Sequence, residues 1–191
     1  MTEKRSEALE FLLTRRSRPA KTLGADAPSR AETETLLVAA SRTPDHGKLA
    51  PWRFVVMTDP IRRKELATEA ARHLAGIGHD AAKIDKDSGA FLHGGMMVAV
   101  ISSPVESDRI PRWEQEFAAA GVCLSLVNAA LASGWGANWL TGPLARDEVF
   151  LRDALGCQPG ETVAGFIHIG NEQVAPSERD RPDIGAITSW I

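Results

Sequence analysis

The chain has no tyrosine and only two cysteines among its 191 residues. The absence of tyrosine excludes a phenol as acid, base or nucleophile. Cys123 and Cys157 stand in neither a zinc-finger spacing nor a disulfide framework, which is typical of proteins in the reducing cytoplasm. Residues 3–7 are largely charged and contain no apolar signal core. We therefore expect a cytoplasmic protein.

An excess of positive charge is also absent. Lysine and arginine number 22 against 25 aspartates and glutamates, so the formal net charge is −3. Nucleic acids and anionic membranes favour a basic surface, so we expect neither as a partner. The basic residues within positions 15–21 are too few to reverse this balance. Apolar residues make up 43% and charged residues 25%, an ordinary globular composition, and the length suits one domain over residues 1–191.

The sequence motifs of three enzyme classes are missing as well. No Gly-x-Ser-x-Gly elbow marks a serine hydrolase. The five histidines form neither His-Glu-x-x-His nor a comparable metal-binding spacing, so no metal site is expected. Gly134 and Gly136 follow a helical stretch and lack the Gly-x-Gly-x-x-Gly fingerprint that a dinucleotide-binding fold places after a strand.

Periodicity and capping residues predict alternating helices and strands. Leucines at positions 9, 12 and 13 have helical spacing, Ser29 to Glu32 form a capping box, and Asp59-Pro60 is a helix start. The predicted helices cover about 3–15, 29–41, 60–87, 111–133 and 145–154, and the predicted strands cover 53–58, 96–102, 134–139 and 162–169. This order predicts an α+β fold with three layers.

The predicted helix over residues 111–133 is the longest element. Its first turns are charged and its later turns are apolar nearly all round, which indicates a buried helix. We judge it too short, and too interrupted by Ser125 and Asn128, to span a membrane. Small residues form one face that permits close approach of another helix: Ala118, Ala119, Gly121 and Ser125. The pattern favours a central helix that meets a partner subunit, with the core of a monomer as the alternative.

Arg15-Arg16-Ser17 follows the first predicted helix, directly before Arg18 and Pro19. A guanidinium offers a planar fork of donors matched to phosphate oxygens, and a serine hydroxyl adds a short donor. The tripeptide is therefore a candidate receptor for the phosphate of a ligand. The alternative is that these basic side chains only complement the negative end of the helix dipole.

Two further segments are candidates for contacts outside the core. The loop from Ser41 to Lys48 combines a proline and a glycine with the donors Arg42 and His46, which suits the edge of a ligand site. An ordinary turn between a helix and a strand is the alternative. The C-terminal segment 171–191 is polar but has an apolar end, so we expect it to dock on the domain or on a partner.

These segments together resemble the FMN-dependent nitroreductase family, in particular its small bacterial NAD(P)H nitroreductase subgroup. The resemblance spans about residues 5–175. Its motifs are Arg-Arg-Ser-Arg at 15–18, Arg-Thr-Pro-Asp-His at 42–46, Pro-Trp at 51–52, the stretches 111–116 and 165–170, and Gly-x-x-Trp with a following hydroxyl residue at 136–141. Several separated motifs in one order are more specific than any single motif.

The resemblance implies a homodimer with a mostly antiparallel central sheet flanked by helices, and with FMN bound at the subunit interface. The FMN phosphate and ribityl chain would be held at the first motif. The residues implied to contact FMN within one subunit are Arg15, Arg16, Ser17, Trp139, Leu140 and Thr141. Arg42 and His46 would reach the flavin that the other subunit mainly binds.

The resemblance also implies chemistry centred on the flavin, with no obligatory catalytic side chain. NAD(P)H would reduce FMN, and a nitroaromatic, quinone or similar small acceptor would then take two electrons in a ping-pong sequence. The nicotinamide contacts would fall at the end of the long helix, at Ala129, Ala130, Leu131, Ala132, Ser133 and Gly134. Two alternatives remain open: a flavoenzyme of this fold with other redox chemistry, such as dehalogenation or dehydrogenation, and a flavin-binding protein that is not an enzyme.

Two positions depart from the pattern of the subgroup. Leu140 stands where the subgroup has an arginine, so this chain lacks one positive charge near the expected cofactor. Thr141 keeps the hydroxyl that follows. Ala50 stands where an asparagine or glutamine often precedes Pro-Trp. We expect both departures to alter polar contacts to the flavin.

Overall fold

The structure is a computed structural model that describes residues 3–191. Its helices are α1 (Ser6–Thr14), α2 (Arg30–Ala40), α3 (Pro60–Gly76), α4 (Ala81–Gly89), α5 (Arg112–Ala132), α6 (Glu148–Leu155) and α7 (Ile184–Ile187). Its strands are β1 (Trp52–Met57), β2 (Met96–Ser102), β3 (Gly136–Leu140) and β4 (Thr162–Gly170). The α+β prediction is therefore confirmed.

The four strands form one sheet in the order β1-β2-β4-β3. Every neighbouring pair in this sheet is antiparallel, as predicted for most of it. β2 lies in the interior of the sheet, and all seven of its residues are buried. β3 is an edge strand, in which Asn138 pairs with His168 and Leu140 pairs with Phe166 of β4. This edge positions the site described below.

Helices cover both faces of the sheet, which gives the three predicted layers. Because side chains alternate along a strand, β2 divides its residues between the two faces. Met97, Ala99 and Ile101 belong to a core cluster with residues of α3 and α6. The intervening Met96, Val98 and Val100 belong to a second cluster with residues of α2 and α5. Burial of each large apolar side chain contributes about 1.5–3 kcal/mol to this packing.

Capping residues set several helix starts as the sequence predicted. The Ser29 hydroxyl accepts from the backbone N–H of Glu32, and the Glu32 carboxylate accepts from the backbone N–H of Ser29, so the capping box is confirmed. At the start of α3, the Asp59 carboxylate accepts from the N–H of Ile61 at 2.8 Å, and Pro60 is the first helical residue.

The single helix predicted over residues 60–87 is two helices. α3 ends at Gly76, and Gly78 has φ +83°, a left-handed conformation that ends the helical path. Asp80 then caps α4 by accepting from the N–H of Lys83 at 2.9 Å. The helix predicted at 145–154 likewise begins later, since residues 143–146 form a separate 3₁₀ turn before the Asp147 cap of α6.

α5 is long and apolar enough to cross a membrane by length and composition alone, so the prediction that it is too short is wrong. Its buried residues, among them Val122, Leu126 and Ala130, pack in the cluster between the sheet and α2. At the small-residue face, a methyl group on Gly121 would lie 2.7 Å from Cγ2 of Thr43, so the loop after α2 approaches closely there. Other side chains of α5, namely Trp113, Phe117 and Leu124, are exposed, and contact of this helix with a partner subunit stays a prediction.

Among the segments whose apolar side chains this chain leaves exposed are α1 and the C-terminal end. Within the described residues, α1 buries none of its side chains, and Leu9, Leu12 and Leu13 are all exposed. The apolar end of the C-terminal segment is also exposed, with Trp190 at 93%, so it does not dock on the chain's own domain. The polar middle of this segment does dock, through Arg16 and Arg18.

Candidate functional site

A cavity of about 710 Å³ lies between the end of β3, the helices α3 and α4, and the C-terminal segment. We call it the basic cavity. Its charged wall consists mainly of cations, namely Arg15, Arg16, Lys21, Lys86, Arg179 and Arg181, with Asp87 as the acidic member. Its apolar wall includes Leu74, Phe91, Leu144 and Phe166. A cavity with one cationic wall and one apolar wall suits an amphiphilic anion.

Five of the predicted cofactor contacts line this one cavity: Arg15, Arg16, Ser17, Leu140 and Thr141. They come from two segments that lie more than 100 positions apart in the chain. The backbone N–H of Arg18 donates to the carbonyl of Ala137 at 2.9 Å. The side-chain amide of Asn138 donates to the carbonyl of Arg18 at 2.5 Å. These bonds fix residues 15–21, which we call the arginine loop, against the edge strand β3.

Arg15 is the group in the basic cavity that most clearly calls for an anion. Its Nη2 donates to Oγ of Ser17 at 2.8 Å, whereas its Nε is buried without a hydrogen-bond partner. Burial lowers the pKa of Arg15, and the nearby charges of Arg181, Arg16 and Arg18 lower it further. A buried donor and several like charges are both unfavourable by themselves, and a bound phosphate would relieve both.

The guanidiniums of Arg16 and Arg18 are engaged by the C-terminal segment. Arg16 donates to the carbonyl of Ser177 and to the carboxylate of Glu178, at 3.0 Å in the second case. Arg18 pairs with Glu172 at 2.6 Å. Among the described residues, neither side chain hydrogen-bonds to a carbonyl of α1. They hold the C-terminal segment against the cavity instead.

Arg179 and Arg181 are wall residues that sequence reasoning missed. They lie in the C-terminal segment, 164 and 166 positions after Arg15, yet both line the basic cavity. Arg181 is also the charged neighbour with the largest effect on Arg15. The available signal was the Arg-x-Arg spacing in an otherwise mixed polar tail. The spacing alone does not indicate a ligand site, because these arginines reach the cavity only when the C-terminal segment folds over it.

β3 contributes alternate side chains to the basic cavity. Asn138 and Leu140 line it, whereas Ala137 and Trp139 lie in the core cluster on the opposite face of the sheet. The indole N–H of Trp139 donates to the carbonyl of Ala164 at 3.2 Å. The structure therefore places Trp139 behind the strand that carries Leu140, away from the other predicted cofactor contacts.

Two histidines complete the deeper part of the basic cavity. His168 is 1% exposed, and its Nδ1 lies 3.1 Å from the carbonyl oxygen of His93. Burial lowers the pKa of His168 to about 4. Burial also lowers the pKa of His93, and the charges of Arg63 and Lys21 add to this effect. Both imidazoles are therefore neutral near pH 7, and they add polar groups without further charge.

The loop 41–50 lies on α5, away from the basic cavity. Oγ1 of Thr43 is 3.0 Å from Oγ of Ser125, and Nδ1 of His46 is 2.6 Å from the Glu114 carboxylate. Lys48 and Ala50 have φ of +57° and +46°, which is strained for residues other than glycine. Within the described chain, the exposed side chains of Arg42 and His46 do not line the basic cavity.

The helix end predicted to contact nicotinamide also lies outside the basic cavity. Ala130 is buried in the core cluster on the other face of the sheet, and Ala132, Ser133 and Gly134 are exposed. Within the described residues, the whole stretch from Ala129 to Gly134 is absent from the cavity wall. One chain alone therefore does not bring this stretch to the arginine loop.

Solved structures with a similar fold include two proteins named as nitroreductases or nitroreductase-like. The nitroreductase-like family protein of Bacillus cereus has a TM-score of 0.78 at 25% identity, over 100% of this chain and 98% of that chain. A nitroreductase with bound FMN from Bacteroides fragilis has a TM-score of 0.76 at 18% identity, over 97% of this chain and 99% of that chain. The second likeness shows a shared fold.

Sequence comparison covers most of the chain. A protein of Escherichia coli strain K12, named "Putative NAD(P)H nitroreductase YdjA", is 33% identical over 171 residues, which is 90% of this chain and 91% of that protein. The model of the Nitroreductase family matches residues 12–171, a range that includes the arginine loop, β3 and the apolar wall of the cavity. The chain therefore belongs to the Nitroreductase family, as its motifs predicted.

Proposed function

We propose that this protein is an FMN-dependent oxidoreductase that passes two electrons from NAD(P)H to nitroaromatic, quinone or similar electron-poor acceptors. The observation that carries the proposal is Arg15, with its unpartnered buried Nε among three further arginines on the wall of a large cavity. Family membership and the name of the Escherichia coli relative support the same cofactor and co-substrate.

The residues of the basic cavity fit FMN in their chemistry. Arg15 and Ser17 would hold the phosphate, because guanidinium and hydroxyl donors match its oxygens. Arg181, which pairs with Glu178 at 2.9 Å, would add positive charge beside it. Leu140 and Phe166 offer apolar surface to the ring system. Arg16 is partly engaged by the C-terminal segment, so its main role is to keep that segment over the phosphate site.

The side chains of the cavity bind and orient rather than react. When bound, FMN supplies the redox chemistry, taking electrons from NAD(P)H and passing them to the acceptor. The cationic wall would stabilise the negative charge of bound FMN, since fixed charges in a partly buried site need no reorganisation. Leu140 gives this wall one cation fewer than the arginine of the subgroup would. Donor and acceptor would use one open position in turn, which is the basis of a ping-pong sequence.

A homodimer would bring the remaining predicted contacts to the cofactor. Arg42 and His46 sit on an exposed, strained loop that α5 supports, and they would reach the cavity of a second copy. The nicotinamide contact at 129–134 would likewise be completed between subunits. The uncovered apolar side chains of α1 and of the C-terminal end supply the surface that such a dimer needs.

The test combines a spectrum with a matched pair of variants. We expect purified protein to be yellow, to be reduced by NADH or NADPH, and to oxidise either one when a nitroaromatic or quinone is added. Arg15→Ala should raise the Kd for FMN about 10- to 100-fold, because one charged hydrogen-bond donor is worth about 1.5–3 kcal/mol. Arg30→Ala is the control, since Arg30 is exposed on α2 and pairs with Glu34.

Three outcomes would each remove a part of the proposal. Colourless protein that takes up no added FMN would overturn the cofactor. Bound FMN without acceptor-dependent oxidation of NAD(P)H would indicate a flavin-binding protein that is not an enzyme. Reduction by NAD(P)H with no transfer to nitroaromatics or quinones would indicate other redox chemistry on the same fold.

A further inference from the structure

A second cluster of titratable side chains lies where α3 meets α6, outside the wall of the basic cavity. Glu69 and His73 stand four residues apart on α3, so they share one face of that helix. Asp153 faces them from α6. One ligand atom from each of the three residues lies within 4.8 Å of the other two. The cluster therefore combines one imidazole and two carboxylates within the reach of a single ion.

His73 is held in one orientation by its surroundings. Its side chain is 9% exposed, and its ring packs edge-on against Phe150 with centroids 5.7 Å apart. Its Nδ1 lies 3.6 Å from Oδ1 of Asp147, and that carboxylate is itself fixed by the N–H of Phe150 at 2.8 Å. A metal ion at Nε2 requires the proton to stand on Nδ1, the nitrogen that faces the Asp147 carboxylate.

The distances at Nε2 fit a small divalent ion. Nε2 of His73 lies 3.2 Å from Oε1 of Glu69. Two ligands at ordinary zinc bond lengths in a tetrahedral site are separated by about 3.4 Å. Asp153 is exposed and belongs to a short surface helix, so its carboxylate can rotate inward by the remaining distance.

Arg72 marks the same place as attractive to a cation. Its guanidinium lies against both Glu69 and His73, with Nη2 at 3.0 Å from Nε2 of His73. The side chain of Arg72 is 65% exposed, so it can move into solvent at little cost. A second cation, Arg152, pairs with Asp153 at 2.8 Å and is also exposed. Three carboxylates at 69, 147 and 153 thus outnumber the two guanidiniums.

We propose that Glu69, His73 and Asp153 form a site for one divalent transition-metal ion of the zinc type, with Asp147 orienting the imidazole. The ion displaces Arg72 and completes its coordination with water. Imidazole with carboxylates suits zinc and its first-row neighbours. The ion links α3 to α6 and so acts as a structural brace. Since Leu74, next to His73, lines the basic cavity, the brace also stiffens one wall of that cavity.

The test is a titration of the intact, flavin-loaded protein with Zn²⁺ or Co²⁺ alone. We expect one ion per chain by calorimetry, a visible Co²⁺ absorption band of low symmetry after subtraction of the flavin spectrum, and a higher Tm with the ion. His73→Gln and Asp153→Asn should each raise the Kd at least about tenfold. His79→Gln, at the turn between α3 and α4, is the matched control.

Arg72→Ala separates a metal site from a general loss of structure. Because Arg72 competes with the ion, this variant should bind Zn²⁺ more tightly than the parent protein. Asp153 is exposed, so Asp153→Asn should fold even if His73→Gln does not. The absence of a one-to-one complex with the parent protein, or an unchanged Kd in Asp153→Asn, would overturn the proposal.

Discussion

Arg15 differs from the arginines beside it because its Nε is buried without a hydrogen-bond partner. Arg16 and Arg18 have acidic partners in the C-terminal segment, whereas Arg15 has a serine and three positive neighbours. A charged donor in this setting is stabilised only when an anion arrives. At the scale of single residues, the preference of this cavity for a phosphate therefore depends chiefly on Arg15, because Arg181, like Arg16, pairs with Glu178.

His168 gives the fold a measurable dependence on pH. Its folded pKa is about 4, below the usual 6.5, because it is buried. As pH falls from about 6.5 towards 4, the unfolded chain binds a proton that folded His168 does not, so the free energy of unfolding decreases. Replacing His168 by a residue that does not titrate should make this decrease in the free energy of unfolding smaller by at most about 3 kcal/mol.

The measurement for His168 is urea unfolding at several pH values. His168→Gln should flatten the curve of unfolding free energy against pH between 6.5 and 4, relative to the parent protein. His79→Gln, outside the core, should leave the curve as it is. Parallel curves for His168→Gln and the parent protein across this window would contradict the assignment.

At the scale of elements, the pairing of β3 with β4 decides which side chains face the cofactor cavity. Trp139 and Leu140 are neighbours in sequence, yet a strand sends them to opposite faces of the sheet. Trp139 can lie flat behind the sheet because β4 has a glycine at Gly165. A methyl group there would contact the indole and lie 2.9 Å from Sγ of Cys123.

Gly165→Ala should therefore destabilise the fold by about 1–3 kcal/mol, the usual cost of overpacking a core. The matched control is Gly89→Ala at the end of α4, where a methyl group meets nothing within 4 Å and φ is not positive. Chemical denaturation measures both variants. An unchanged midpoint for Gly165→Ala would show that Trp139 moves aside freely. That result would contradict the close packing of Trp139 against Gly165.

At the scale of the whole molecule, one chain leaves its predicted cofactor contacts in two places. The basic cavity holds the arginine loop and Leu140, whereas Arg42 and His46 lie on the loop over α5. The apolar side chains of α1 and of the C-terminal end are exposed in one chain, and a second copy could cover them. Both observations support assembly of the site from two copies.

We expect the dimer and the flavin to be lost together. Light scattering after size exclusion should give twice the chain mass of 20.6 kDa for flavin-loaded protein. Leu12→Asp on the exposed face of α1 should shift the mass towards one chain and lower the flavin content. Ile61→Asp is the control, since Ile61 is similarly exposed on α3. A monomer with a full complement of flavin would contradict assembly at the interface.

The sequence by itself determined the family, the order of the elements and several of their boundaries. These features depend on local chemistry: a capping box at Ser29, a proline after Asp59, and the apolar runs of β2 and β4 are all set by neighbours in the chain. The arginine loop could be identified for the same reason, because its three donors are contiguous. The local errors were the single helix over 60–87, the early start of the helix at 145–154, and the judgement that α5 is too short to span a membrane.

Only the tertiary structure decided which distant residues share a site. Arg181 joins Arg15 because the C-terminal segment folds back, Thr43 packs against Gly121 of α5, and Trp139 turns away from Leu140. The Glu69–His73 pair was visible as a four-residue spacing, but Asp153 and Asp147 reach it only through packing of α6. Such contacts depend on how whole elements pack, and no local pattern encodes that arrangement.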